Sequence, residues 1–117
     1  MQDTTEIKNE PGVPHWKWQR YSAVVLIPLT LWILFSLIHH IGADYATATA
    51  WVAHPLVAFL LCVFIVTLFY HSKLGLQVII EDYISDVSAR DAVIKIVNLI
   101  CWLAIILGVS SVIKIAL

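Results

Sequence analysis

Three long stretches of this chain carry no charged side chain: residues 21–43, 45–72 and 96–113. Leucine, isoleucine, valine and aromatic residues dominate them. A helix of ~20 residues crosses a ~30 Å hydrocarbon core, and each run is about that long or longer. Lipid offers no partner to a backbone amide, so a single spanning segment must be a helix. A soluble core of three buried helices is the alternative. Composition opposes it: with 61% hydrophobic and 13% charged residues, too little polar surface remains to cover such a core. The sequence therefore predicts an all-α membrane protein with three transmembrane helices, at about 21–41, 52–80 and 93–115. These form one anchor unit over 14–117, behind a polar N-terminal tail over 1–13 that reads as flexible or partner-bound.

A formal net charge of −1 hides an asymmetry. Lys8, Lys17 and Arg20 precede the first span, and Lys73, Arg90 and Lys95 lie around the second connection. The first connection, from Gly42 to Trp51, has Asp44 and no basic residue. Positive charge stays inside, so the N-terminus and the second connection are expected in the cytoplasm and the C-terminus in the periplasm. Lys114 runs against the rule but sits at an extreme end. Asp3, Glu6 and Glu10 in a segment without an apolar core do not suit a signal or transit peptide. A multi-pass protein of the bacterial inner (cytoplasmic) membrane is the expected location.

Local signals fill in the rest. Trp16, Trp18 and Tyr21 alternate with Lys17 and Arg20, as in a headgroup belt; Tyr45 and Trp51 mark the opposite belt. Pro28 is tolerated inside a membrane helix. His54-Pro55 suits the first turn of the second span, and Ser88 with Asp91 suggests a cap for the third. Asn98 is expected to bond to another helix. His39 and His40 read as solvated. Cys62 and Cys101 lie in apolar runs and are not expected to form a disulfide. Nothing in the sequence supplies a nucleotide fingerprint, a P-loop, a nucleophile elbow, clustered cysteines or a Cys-x-x-Cys-His haem attachment. No nucleic-acid partner is expected.

Chemistry concentrates in one stretch, from Tyr70 to Tyr83. Of the five histidines, His71 alone is placed deep toward the cytoplasmic half of a span. An ionisable side chain there is a functional candidate, and neutral imidazole is a standard axial ligand of haem iron. Gly75, one turn on, would leave room beside the ring for a flat macrocycle. A snorkelling histidine beside Ser72 and Lys73 is the competing account. Asp82 follows His71 by ~20° of rotation and ~16 Å of rise on a continuous helix. A cofactor at depth with a polar small-molecule site above it is the arrangement this spacing suggests. Three helices do not enclose a haem, so if His71 binds one, a second ligand must come from a partner chain.

Arg20-Tyr21-Ser22-Ala23, His71-x-x-x-Gly75 and Asp82-Tyr83, in a chain of this length and layout, resemble the D-type hydrophobic membrane anchor of bacterial succinate dehydrogenase (succinate:quinone oxidoreductase, respiratory complex II). The resemblance implies a second, C-type anchor subunit, with one haem b held between the two. It implies that the pair tethers a flavoprotein subunit and an iron–sulfur subunit, linking the tricarboxylic acid cycle to electron transport. His71 would be the axial ligand of the haem iron, and Arg20 would lie by the propionates. Tyr83 would hydrogen-bond a ubiquinone carbonyl, with Asp82 beside it. No succinate-oxidising site is expected in this chain. The rival readings are an anchor of a quinol:fumarate reductase and a structural membrane subunit without a cofactor.

Overall fold

The computed structural model describes the backbone of residues 12–117 and the side chains of 16–117. The tail over 1–11 lies outside the described residues. Four helices account for nearly all of the remainder: α1 (Gly12–His39), α2 (Tyr45–Ala53), α3 (Pro55–Tyr83) and α4 (Val87–Ala116). No strand occurs among the described residues.

Three of the helices are long and apolar enough to cross a membrane: the segment Trp16–His39 of α1, then Pro55–Tyr83 and Val87–Ala116. At 1.5 Å per residue, α3 and α4 reach ~45 Å, well beyond a ~30 Å core. Their ends therefore stand in the headgroup layers on both sides or the helices tilt. α1 begins at Gly12, so the belt segment around Trp16 and Trp18 is itself helical and continuous with the first span. The helix also runs through Pro28.

α3 is the central element. It packs against α1 on one side and α4 on the other, while α2 bridges α3 and α4. Little is buried: Leu26 from α1, Leu61, Leu74 and Ile80 from α3, and Cys101, Ile105 and Val112 from α4. Large apolar side chains such as Phe35, Phe59 and Leu107 stand exposed. In water this would be an aggregation surface; for a membrane chain it is the face toward lipid or a partner subunit. Cys62 and Cys101 are free thiols.

Two joints differ from the sequence expectation. The first connection contains a helix, α2, where only a connecting segment with the belt residues Tyr45 and Trp51 is expected. Gly42, at φ +81°, takes the left-handed conformation that ends the α1 turn. Asp44 then caps α2 by accepting from the Thr47 N–H at 2.8 Å. The Thr47 side chain and N–H hold the Asp44 carboxyl below its ordinary pKa. The second joint is tighter than expected, with only residues 84–86 between α3 and α4. Asp86, not Ser88, caps α4, accepting from the Ala89 N–H at 3.1 Å. A cap must precede the first helical residue, and α4 has already begun at Val87, which leaves Ser88 inside the first turn.

The aromatic residues at the α1–α2 end also behave differently from a simple belt. Trp51 is half-buried: its ring lies 6.1 Å from that of Trp32 and 4.7 Å from that of His40. His40 is within hydrogen-bond distance of the Ser36 carbonyl through Nδ1, at 2.7 Å. His40 is thus a packing residue at a helix end, whereas His39 and Tyr45 are exposed.

Candidate functional site

Helical geometry on α1 places Ser22 and Leu26 four residues apart on one side, and both are buried against α3. Where the two helices cross, Ser22 Oγ lies 2.8 Å from His71 Nδ1. The same Oγ donates to the Gln19 carbonyl oxygen at 2.9 Å. His71 is half-buried there, and it lines an apolar groove with Ala23, Leu26, Ile27, Thr30 and Leu31 of α1. The groove has a volume of about 400 Å³ and is open along one side. Trp18, Tyr21, Val25, Val66, Thr67 and Tyr70 form a second groove, with Ser22 at its wall. The Ser22–His71 pair thus closes the α1–α3 seam between two openings.

Arg20 is exposed and its guanidinium stacks over the Trp16 ring at 4.8 Å. Ala23, Ile27 and Leu31 follow Arg20 by three, seven and eleven residues, which is a single stripe of a 3.6-residue helix. Arg20 therefore precedes the groove residues by about one turn on the same face of α1. That is a suitable place for a fork of donors meant for a carboxylate.

α3 continues unbroken to Tyr83, so His71, Gly75, Val78 and Asp82 do share one stripe. The half of it nearer Asp82 is uncovered: Val78 and Asp82 are exposed, and so is the neighbouring Tyr83, at 85%. Gly75 is half-buried, and a Cβ there would lie 3.5 Å from Gln19 Nε2, an ordinary contact distance. The groove beside His71 opens toward Ala23, Ile27 and Leu31.

Three further polar features depart from the sequence expectation or add to it. Gln19 Oε1, near Gly75, is buried with no donor among the described residues. Asn98 Oδ1 is also buried without a donor among the described residues. Lys73 sends its ammonium between the rings of Tyr70, at 5.3 Å, and Trp102 of α4, at 5.1 Å. Ser22, which sequence reasoning missed as a site residue, carried a usable signal, since it lies one helical turn from Leu26 within an otherwise apolar span. Its partner did not, because the register of α1 on α3 is a tertiary property.

Among the described residues no three of His, Cys, Asp and Glu come together as a metal site. A lone imidazole beside an apolar slot fits an iron that brings its own ring of equatorial donors, as a haem does. The slot is one wall only, open along the other side.

A family model described as succinate dehydrogenase/fumarate reductase transmembrane subunit matches residues 2–107. The chain belongs to this family. Among curated relatives, the succinate dehydrogenase hydrophobic membrane anchor subunit of Rickettsia bellii is 33% identical over 86% of this chain and 81% of its own length. That of Rickettsia conorii is 31% identical over 81% and 76%. The succinate dehydrogenase membrane anchor subunit of Reclinomonas americana is 28% identical over 80% and 81%. No solved structure matches the chain. Membership in the family agrees with three spanning helices and little internal core: this is a multi-pass membrane anchor. The succinate dehydrogenase anchor family also explains why so much apolar surface is left for neighbours.

Proposed function

We propose that this chain anchors a succinate:quinone oxidoreductase in the membrane and supplies half of a haem b site and part of a ubiquinone site. It works with a second anchor subunit and carries the iron–sulfur and flavoprotein subunits on its cytoplasmic face. The observation that carries this reading is the position of His71 at the α1–α3 crossing, on the edge of an apolar groove. His71 would supply a nitrogen ligand to the haem iron, and Arg20 would pair with a propionate. When bound, the haem supplies one-electron chemistry. Ala23, Ile27 and Leu31 keep water from the macrocycle face. Tyr83 donates its phenolic proton to a ubiquinone carbonyl at the end of α3, and Asp82 stands ready to exchange protons with water there.

The names of the curated relatives favour the succinate-oxidising direction over fumarate reduction. The test is a reduced-minus-oxidised absorbance spectrum of the purified complex, wild type against His71→Ala. The variant is expected to lose most of the b-type absorbance while the complex still assembles. A haem spectrum unchanged by His71→Ala overturns the ligand assignment.

A further inference from the structure

The hydroxyl of Ser22 faces two groups at once: the Gln19 carbonyl oxygen at 2.9 Å and His71 Nδ1 at 2.8 Å. A serine hydroxyl has one proton to give and two lone pairs to accept with. Two oxygens 2.9 Å apart with no proton between them would repel, so the Ser22 proton lies toward the Gln19 oxygen. The contact to His71 must then be filled from the imidazole side, by Nδ1–H donating to Oγ. In the reverse arrangement the Ser22 hydroxyl would donate to Nδ1, and the ring proton would sit on Nε2. Among the described residues nothing hydrogen-bonds Nε2, and the groove beside His71 is lined almost wholly by carbon. An Nε2–H turned into that apolar groove would find no acceptor among the described residues, a costly arrangement away from water.

We infer that Ser22 is a positioning residue that fixes His71 as its Nδ1–H tautomer and so leaves the Nε2 lone pair free for a metal. The inference rests on the haem reading for its purpose, but not for its geometry. Gln19 takes part through its backbone, so a short α1 segment, Gln19 to Ser22, sets the ring of an α3 residue. A hydrogen bond to the distal nitrogen of a metal-bound imidazole orients the ring and raises its basicity; losing such a partner typically weakens metal binding 10–100-fold.

The tautomer is read directly from histidine ¹⁵N shifts of the full chain in bilayers, in the complex prepared without haem. A protonated Nδ1 and a bare Nε2 at His71 are expected; a protonated Nε2 overturns the inference. Function follows from titrating haemin into the same haem-depleted complex. Ser22→Ala is expected to weaken haemin binding by about 10–100-fold and to shift the low-spin haem EPR signal. Ser22→Thr, which keeps the hydroxyl, is expected to restore both. Wild-type affinity and an unmoved EPR signal in Ser22→Ala overturn the inference alone. Failure of the wild-type complex to bind haemin overturns the haem reading with it. Should Ser22→Ala fail to assemble, the ¹⁵N measurement on the wild type still decides.

Discussion

Gly108 of α4 meets Ile65 of α3 so closely that a Cβ on the glycine would lie 3.0 Å from Ile65 Cγ2 and 3.3 Å from its Cδ1. The absent side chain is what lets the two spans approach at this point. Small residues serve membrane helices in this way because packing, not exclusion of water, holds them together.

Gly108→Ala is therefore expected to loosen the α3–α4 seam by about 1–3 kcal/mol, as overpacking does. The branched Ile65 side chain is stiff at χ1 on a helix and has little room to swing aside. Ile65→Val keeps Cγ2 and should not relieve the clash. Ile65→Ala removes it, so in combination with Gly108→Ala the loss should be less than the sum of the two single losses. Thermal denaturation of the detergent-solubilised complex measures wild type, both single variants and the double variant. Strict additivity would contradict the close contact.

Lys73 and Trp102 form a second link across the same seam. The ammonium lies 5.1 Å from the indole centre, within cation–π range, in a span where a bare charge is unfavourable. Trp102→Leu should lower stability by about 1–2 kcal/mol through this contact, beyond the apolar area lost. In a Lys73→Met background the same change should cost less. A double-mutant cycle on the melting of the complex reads the coupling, and a coupling near zero would mean that the ammonium rests there without energetic consequence.

The orientation of the chain is also open to measurement. The joints around Asp44 and Ser85 lie at opposite ends of the helix bundle, and both residues are exposed. With Cys62 and Cys101 replaced, a cysteine at position 44 should react with an impermeant maleimide from outside intact cells. One at position 85 should react only after permeabilisation. The reverse pattern would overturn the charge-based assignment of the cytoplasmic side.

The spans were legible because length and hydropathy are local properties, and the stripe from His71 to Asp82 was legible because helical rotation is fixed. Contacts between elements were not. Ser22 reads as one more small polar residue until α1 is laid on α3. α2 was hidden for another reason: Tyr45-Ala46-Thr47-Ala48-Thr49-Ala50 shows no apolar period, and threonine is a weak helix former. Asp44, a capping residue followed by helix, was the signal to use there. Asn98 shows the limit of a single chain, since its buried oxygen finds no donor within the described residues.

Tyr83 provides the sharpest functional test. It is the last residue of α3 and is 85% exposed, so its phenol is free to meet a ligand or a partner chain beyond this one. Tyr83→Phe removes one oxygen and almost no volume. If the ring only packs at a headgroup layer, phenylalanine packs equally well and activity should hardly change. If the phenol donates to a quinone carbonyl, that bond strengthens as the carbonyl oxygen gains negative charge on reduction. Losing ~1.5 kcal/mol from the transition state lowers quinone reduction about tenfold. Succinate oxidation with a dye that accepts electrons upstream should stay near normal, because no succinate-oxidising chemistry is assigned to this chain. Asp82→Asn should act in the same direction if its carboxylate exchanges protons with the reduced quinone. Both activities are measured on the same membranes. Equal loss of the two would mean failed assembly, and loss of neither would leave Tyr83 with a packing role alone.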